Sequence, residues 1–264
     1  MESIAWSKEN VQPLLRTVAA FILNELDRVQ QADIIEKDLN SLVSYVDRQA
    51  EEQLVEGLHA ILPEAGFLTE EETVQQTEAP LQWIIDPLDG TTNFLFGVPS
   101  YSISIGLKSD GVLIGGWVYD LPFGKCYHAL KGHGAFKEDN RISVRKNKDF
   151  SHSLFATGFP YYDFGRMPQY MDLLKDLMQS SRGIRRLGSA AVDLAYTAEG
   201  RFDAFYEYGL NPWDVAGGAV LVKEAGGCVM NFSGGSEFMD SREIIAGSAE
   251  ICRQLVERTR QYFE

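Results

Sequence analysis

The segment that most constrains the fold is residues 83–94, which read WIIDPLDGTTNF. Its three large apolar residues are typical of the end of a buried strand, and the chain runs from them directly into Asp86. Pro87 has no N–H to donate, so we expect the strand to end there and both Asp86 and Asp89 to face the same space. The alternative is that the two aspartates are ordinary turn residues and helix caps.

Backbone donors follow these two acids. Gly90 permits a close approach of the backbone, and the N–H groups of Gly90 and Thr91 open a predicted helical turn, where an anion is favoured. One short segment therefore offers two carboxylates for a hard cation and N–H donors for a phosphate.

Two further acidic segments are candidates for the same site. Residues 67–73, FLTEEET, end a predicted strand in three glutamates, of which Glu70 comes first. Residues 206–219, YEYGLNPWDVAGGA, begin a predicted helix near Asp214. Taken singly, the glutamates are typical of a solvated loop, and Asp214 is typical of an acid that the dipole favours at a helix N-terminus.

The net charge limits the possible partners. The chain has 264 residues, with 38 Asp and Glu against 24 Lys and Arg, and a net charge of −14. Such a surface repels a polyanion, so direct nucleic-acid binding is not expected, and a small anionic substrate needs cations that screen the acids. The three cysteines lie far apart and are expected to be free thiols. Neither a signal peptide nor a membrane span is visible, which predicts a cytoplasmic protein.

The hydrophobic pattern predicts an α/β protein. Predicted helices cover 7–29, with Ser7 as N-cap, and 43–61, 167–180, 189–199, 213–225 and 249–263. Predicted strands cover 67–68, 82–86, 100–108, 112–119, 125–129, 203–208, 228–231 and 243–247. The Asp-Gly pair at 110–111 predicts a hairpin turn, and the polar stretch 31–41 is interpreted as a loop.

A polar stretch at 140–155 divides this pattern. Residues 1–145 are predicted to form two helices and a largely antiparallel sheet that carries most candidate ligands. Residues 146–264 are predicted to form an α/β subdomain that supplies Asp214 and substrate contacts. Two sheets sandwiched by helices is the simplest architecture that buries all the apolar faces.

Taken together, the three acidic segments resemble the inositol monophosphatase family of metal-dependent, lithium-sensitive phosphatases. WIIDPLDGTTNF is similar to the first signature of that family, NPWDVAGGAVLVKEAGG at 211–227 to its second, and GFLTEEE to its upstream Glu-Glu element. The resemblance implies a layered α/β/α/β/α sandwich, a homodimer, and hydrolysis of a phosphate monoester. It also implies two or three Mg²⁺ ions, with Mn²⁺ as a substitute and with Li⁺ and Ca²⁺ as inhibitors.

The resemblance also assigns roles to residues. It implies that the metal ligands are Glu70, Asp86, the carbonyl of Leu88, Asp89 and Asp214. Every one of these donors is an oxygen, and none of the four histidines lies in the motifs, which agrees with Mg²⁺ rather than Zn²⁺. The catalytic residues implied are Thr91, Asp47 and Glu70, with Thr91 and Asp47 activating the attacking water. The alternative for Asp47 is a solvated acid on a helix.

The substrate is less narrowly defined by the resemblance. The substrate-binding residues implied are Gly90, Thr91, Glu207, Asp214, Ser189 and Lys37. Glu207 matches a glutamate that binds ring hydroxyls, which favours inositol 1-phosphate, although it is also interpretable as a solvated acid at a strand end. Fructose 1,6-bisphosphate and other sugar or nucleotide phosphates are the alternatives, and Arg182, Arg185 and Arg186 are candidates for a second phosphate or for surface and dimer contacts.

A non-enzymatic function is a further alternative. Some members of the family are partners of the transcription machinery, and a charge of −14 argues against contact with RNA but not against binding a protein.

Overall fold

The structure is a computed structural model that describes residues 8–26, 28–30, 33, 35–38, 41–159 and 164–263. The predicted N-cap Ser7 lies outside the described residues. Within them the helices are α1 Lys8–Glu25, α2 Tyr45–Ile61, α3 Thr91–Leu95, α4 Met167–Ser180, α5 Ala190–Ala198, α6 Pro212–Glu224 and α7 Ala249–Phe263.

The strands belong to a small hairpin and two larger sheets. The hairpin pairs β1 Ile35–Asp38 with β2 Ser41–Val43. The first large sheet contains β3 Gly66–Thr69, β4 Leu81–Asp89, β5 Ser102–Ser109, β6 Val112–Asp120, β7 Lys125–Leu130, β8 Gly134–Lys137 and β9 Asn140–Ile142. The second contains β10 Leu154–Thr157, β11 Gly183–Arg185, β12 Ala204–Tyr208, β13 Cys228–Met230 and β14 Glu243–Gly247.

The sheets and helices stack in five layers. The first sheet follows chain order from β3 to β9, and it is antiparallel apart from the parallel pair β3–β4. The second sheet is mixed, in the order β11-β10-β12-β14-β13. Helices α1 and α2 cover the outer face of the first sheet, α5 and α6 lie between the sheets, and α4 and α7 cover the second sheet. The predicted α/β/α/β/α sandwich with a largely antiparallel first sheet is confirmed.

The apolar core has three parts that correspond to the spaces between these layers. One part packs α1 and α2 against the first sheet around Trp83 and Trp117. The second surrounds α5 and α6, and the third joins the second sheet to α4 and α7 around Tyr170 and Tyr206. All four aromatic side chains are fully buried, which accounts for the apolar periodicity of the elements that carry them.

Helix α6 lies unusually close to the first sheet, and glycines allow it to do so. A Cβ at Gly106 would lie 2.6 Å from the Cβ of Ala216, and a Cβ at Gly217 would lie 2.8 Å from the carbonyl oxygen of Ile105. Both distances are far inside van der Waals contact, so neither position accepts a larger residue without movement of the helix. This close packing brings the N-terminus of α6, and with it Asp214, toward β4 and β5.

Several predicted boundaries are wrong, and the reasons are physical. The polar stretch 31–41, interpreted as a loop, contains β1 and the start of β2. Strands β8 to β11 were not predicted. They have three or four residues each, which gives little periodicity, although the equally short β3 and β13 were predicted. Helix α1 ends at Glu25 rather than at Val29, although Val29 still packs against the core and so continues the apolar pattern.

Other local predictions are confirmed. Asp110 and Gly111 have φ angles of 46° and 81°, and they join β5 to β6 as the hairpin turn requires. The three cysteines are free thiols, and Cys126 and Cys252 are buried. In the part of the chain that the structure describes, every helix is too short or too polar to cross a membrane. The division at residues 145 and 146 stays a prediction.

Candidate active site

A β-bulge brings Asp86 and Asp89 to the same side of the sheet. Strand β4 does not end at Pro87 as predicted but continues to Asp89, so that part of the prediction is wrong. Asp86 pairs with Ser104 and Asp89 with Ser102, so three steps along β4 correspond to two along β5. In a regular strand, residues three apart point to opposite faces. The extra residue at the bulge reverses the alternation, and both acids face one space.

Glu70 joins Asp86 because β3 and β4 are parallel. Thr69, the last residue of β3, pairs with Ile85, and the N–H of Glu70 donates to the carbonyl of Ile85 at 3.2 Å. Burial raises the pKa of Asp86 well above its usual value, and the charges of Glu70, Asp89 and Asp214 raise it further. The four acids that the sequence singled out are therefore neighbours.

Asp214 enters the same space from the first turn of α6. The N–H of Asn211 donates to its carboxylate at 2.6 Å, so Asp214 also acts as the favoured acid at a helix N-terminus. Burial raises the pKa of Asp214 to about 7, and the charge of Asp89 adds to the effect. One side chain thus stabilises the helix end and contributes a carboxylate to the acid cluster.

The N-terminus of α5 holds Asp89. The hydroxyl of Ser189 donates to one Asp89 carboxylate oxygen at 2.6 Å, and the N–H of Ala191 donates to the same oxygen at 2.7 Å. Burial raises the pKa of Asp89 to about 6, although these hydrogen bonds act to lower it. Ser189, predicted to bind substrate, contacts an acid of the cluster here, and the contribution of Ala191 had no signal in the sequence.

Thr91 and Asp47 meet as predicted from their motifs. The Oγ1 atom of Thr91 lies 2.9 Å from a carboxylate oxygen of Asp47 and 3.0 Å from the carbonyl oxygen of Leu88. Ser44 donates to the other Asp47 oxygen through both its N–H and its hydroxyl, each at 2.8 Å. Asp47 is buried rather than solvated, and burial raises its pKa.

Glu51 is a residue of the site that sequence reasoning missed. It lies one turn after Asp47 on α2 and is fully buried. One carboxylate oxygen accepts the N–H of Glu71 at 2.8 Å, and the other accepts the N–H and the hydroxyl of Thr73 at 2.8 and 2.7 Å. Its spacing of four residues from Asp47 places both acids on one helix face, which is the signal that could have identified it.

A second group of polar residues lies beside Asp214, at the end of β12. Burial raises the pKa of Glu207 well above its usual value, and the charge of Asp214 raises it further, while Arg186 opposes the shift. Asp193 of α5 is also buried, and burial and the charge of Glu207 raise its pKa. Gly158 packs against the Glu207 carboxylate so closely that any Cβ at position 158 would overlap it. Glu207 is therefore buried and not a solvated strand end.

Two predicted substrate-binding residues remain, Gly90 and Lys37. Gly90 has a φ of 93°, and a Cβ there would lie 2.9 Å from the carbonyl oxygen of Ser100, so the position requires glycine. It immediately precedes α3, whose first residue is Thr91. Lys37 lies in β1, but its side chain lies outside the described residues.

The donor set of the cluster fits a hard divalent cation. All its side chains are carboxylates, and the Leu88 carbonyl adds a backbone oxygen. Among the described residues, no three or more histidine, cysteine, aspartate or glutamate side chains are already arranged to hold a metal ion. Mg²⁺ bound to proteins keeps several of its own waters, so a few carboxylates and one carbonyl oxygen are enough to hold it.

Residues 7–263 match the sequence model of the inositol monophosphatase family, which covers nearly the whole chain. The chain belongs to the inositol monophosphatase family. A relative named Nus factor SuhB from Pseudomonas aeruginosa is 38% identical over 261 residues, spanning 93% of this chain and 95% of the relative. A relative named inositol-1-monophosphatase from Mesorhizobium japonicum is 37% identical over 238 residues, 90% of each chain.

Solved structures agree with this assignment. The crystal structure of extragenic suppressor protein SuhB from Bartonella henselae has a TM-score of 0.90 and 34% identity, and covers 96% of this chain and 98% of that one. The family resemblance inferred from the acidic motifs is therefore confirmed, and relatives inside the inositol monophosphatase family carry two different functional names.

Proposed function

We propose that the protein is a Mg²⁺-dependent phosphate monoester hydrolase with inositol 1-phosphate as its preferred substrate. The observation that carries the proposal is the burial of Asp86 among the charges of Glu70, Asp89 and Asp214. Four acids so close together repel one another unless protons or cations intervene, and a folded protein retains such repulsion where it serves function.

The carboxylates divide into two sets of ligands. Glu70, Asp86 and the Leu88 carbonyl would hold one ion, and Asp86, Asp89 and Asp214 would hold a second. When bound, such ions activate a water, stabilise the leaving oxygen and neutralise phosphate charge. The chain positions these ligands through the bulge in β4, the close packing of α6 and the hydrogen bonds that α5 makes to Asp89. We also propose that Glu70 would help to hold a third ion.

Thr91 and Asp47 act on the attacking water. Because the Thr91 hydroxyl can donate its proton to Asp47, its lone pairs remain available to accept a hydrogen bond from water. Ser44 holds the far side of the Asp47 carboxylate, so this hydrogen-bonded chain has one orientation. The N–H groups of Gly90 and Thr91 would add fixed dipoles toward the phosphate.

Glu207 recognises the ring of the substrate. Its carboxyl group is buried next to Asp214 and can accept hydrogen bonds from ring hydroxyls. Asp193, beside it, adds a second buried carboxyl. Two carboxyl groups in this region can accept hydrogen bonds from ring hydroxyls, which supports a polyol phosphate as the substrate.

A phosphate-release screen tests this proposal. The purified protein is assayed with Mg²⁺ and with EDTA on inositol 1-phosphate, fructose 1,6-bisphosphate, phosphoadenosine phosphate and NADP. We expect Mg²⁺-dependent release that is fastest with inositol 1-phosphate and is inhibited by Li⁺ and Ca²⁺. Release without metal, or none from any of these esters, would contradict the hydrolase; a different preferred ester would contradict only the choice of substrate.

A second candidate function is a regulatory, protein-binding role in the cytoplasm. It is favoured by the name Nus factor carried by a relative that is 38% identical over most of the chain. A homodimer, which we also propose, would serve either function. Cells that carry an Asp86→Asn variant separate the two: a cellular role that survives this loss of activity supports protein binding, and one that disappears supports hydrolysis.

A further inference from the structure

A second cavity lies at the opposite end of the five-stranded sheet from Glu207. It has a volume of about 470 Å³. Its wall is formed by Arg145, Asn147, His152, Leu154 and Arg182. Two guanidinium groups, an imidazole and an amide face a common space there, and no acidic side chain is among these lining residues.

The cavity is separate from the candidate active site because of strand direction. Strands β10, β11 and β12 are parallel, and the cavity lies where β10 and β11 begin, with the Arg182 N–H donating to the Ser153 carbonyl at 2.9 Å. Gly158 and Glu207 lie at the opposite ends of these strands. Three residues of strand, about 10 Å, therefore separate the two sites.

Charge is distributed unusually around this cavity. Residues 141–148, RISVRKNK, contain four cationic residues and no acid, and residues 177–192, LMQSSRGIRRLGSAAV, contain three cationic residues and no acid. The chain as a whole has a net charge of −14, so these two segments are locally more basic than its average. The first supplies Arg145 and the second supplies Arg182, so the fold brings both segments to one wall.

The guanidinium groups of Arg145 and Arg182 keep N–H donors that no acidic side chain of the described residues accepts. The Nε atom of Arg145 lies 3.9 Å from a carboxylate oxygen of the buried Asp203, too far for a hydrogen bond, while the other Asp203 oxygen accepts the N–H of Leu154 at 2.8 Å. Among the described residues, Arg182 forms no ion pair with an acidic side chain. The Nδ1 atom of His152 lies 2.8 Å from a carboxylate oxygen of Asp149.

We propose that this cavity is a second anion site, in which Arg145 and Arg182 bind the phosphate group of a small phosphorylated compound or inorganic phosphate. Guanidinium groups match the oxygen spacing of phosphate and bind it through two parallel hydrogen bonds. The inference is independent of the proposed hydrolase, since none of its residues belongs to the acid cluster.

Metal-free protein isolates this site experimentally. With EDTA present, the acids around Asp86 repel phosphate, so calorimetric titration reports the cavity alone. The titrants are inorganic phosphate and glycerol 2-phosphate. We expect one saturable site per chain for at least one of them; binding of only the first identifies free phosphate as the ligand, and binding of the second identifies a phosphate ester.

Variants assign the binding to the cavity. Arg182→Met, and separately Arg145→Met, should weaken the affinity by about tenfold or more, since each removes a charged donor. Arg185→Met is the matched control, an exposed arginine three residues from Arg182 that does not line the cavity. An absence of saturable binding to the metal-free protein would overturn the proposal, as would an equal loss in Arg185→Met and Arg182→Met.

Discussion

Glu51 accepts two hydrogen bonds from Thr73, one from its N–H and one from its hydroxyl, and so fastens the loop that carries Glu70 to helix α2. That loop is strained, because Glu72 has a φ of 52°, a left-handed conformation that costs a non-glycine residue about 1 kcal/mol. A third hydrogen bond, from the Glu71 N–H, adds to the anchor. Through Glu51 and Asp47 a single helix face positions both the proposed metal ligand and the residue that holds Thr91.

Glu51→Gln should therefore weaken Mg²⁺ binding. The glutamine can accept hydrogen bonds through its oxygen, but its NH₂ group would face an N–H donor of the loop. Loss of a charged hydrogen-bond acceptor costs roughly 1.5–3 kcal/mol. If this loss is passed on to the loop that carries Glu70, the Mg²⁺ affinity should fall about tenfold or more. Calorimetric titration measures the Mg²⁺ affinity, and the control is Glu52→Gln, the same change at the exposed adjacent residue. If stability falls while Mg²⁺ affinity stays unchanged, Glu51 supports only the fold.

Thr91→Ala should lower kcat with little effect on Mg²⁺ affinity. The hydroxyl contacts Asp47 and the Leu88 carbonyl, and we assign it to the water rather than to a metal. A general acid–base contact of this kind contributes about 10²-fold or more. Thr92→Ala, the exposed adjacent threonine, should retain activity. A large loss of Mg²⁺ affinity in Thr91→Ala would make Thr91 a metal residue instead.

The metal-free protein should lose stability as the pH rises. The pKa values of Asp89 and Asp214 are raised to about 6 and about 7, so the folded state keeps protons that the unfolded chain releases near pH 4. The free energy of unfolding then falls between about pH 4 and pH 7, because the native state binds more protons.

Thermal unfolding in EDTA and in Mg²⁺ measures this effect. The gap in Tm between the two conditions should be wider at about pH 7.5 than at about pH 5, because Mg²⁺ replaces the lost protons. An Asp214→Asn variant should show a shallower pH dependence in EDTA. A slope as steep as that of the unsubstituted protein would mean that Asp214 does not titrate in this range.

Glu207→Ala should discriminate between substrates. A hydrogen bond from a ring hydroxyl to this carboxyl group is worth roughly 0.5–3 kcal/mol, so kcat/KM for inositol 1-phosphate should fall about two- to a hundredfold more than that for glycerol 2-phosphate. The acid cluster would bind the phosphate group of both esters in the same way. The ratio of their kcat/KM values therefore reports the ring contact alone. Equal losses would indicate that Glu207 supports the site generally, and a broad sugar-phosphate phosphatase would then fit better.

Long amphipathic elements were predictable from the sequence, whereas several short strands were not. Helix α4 has the predicted bounds Met167–Ser180, and strand β14 has the predicted bounds Glu243–Gly247. Strand β11, Gly183–Arg185, has a single apolar residue and lies at a sheet edge, so no periodicity marks it. Its pairing with β10 is a tertiary effect, which local pattern does not contain.

The acid cluster was predictable as a set but not in its geometry. Three separate motifs of the sequence predict that Glu70, Asp86, Asp89 and Asp214 share one site, and the fold makes them neighbours. The bulge at Pro87 was missed because a proline ordinarily ends a strand ladder. Here Pro87 lies in the bulge between Asp86 and Asp89, where a residue without an N–H donor is tolerated and the strand continues. Contacts such as that of Glu51 with the Thr73 loop join residues with no shared motif, so only the fold reveals them.

Asp86 is the residue on which the account depends, because it neighbours all three other acids and is assigned to both metal sets. The most direct test is the rate of phosphate release from inositol 1-phosphate as a function of Mg²⁺ concentration in Asp86→Asn. The matched control is Asp172→Asn, the same change at an exposed acid of α4. We predict that Asp86→Asn folds, with unchanged circular dichroism, and is inactive at every Mg²⁺ concentration, while the control is unaffected. A folded Asp86→Asn protein that keeps more than about a tenth of the kcat, a barrier increase below ~1.4 kcal/mol, would contradict the central claim.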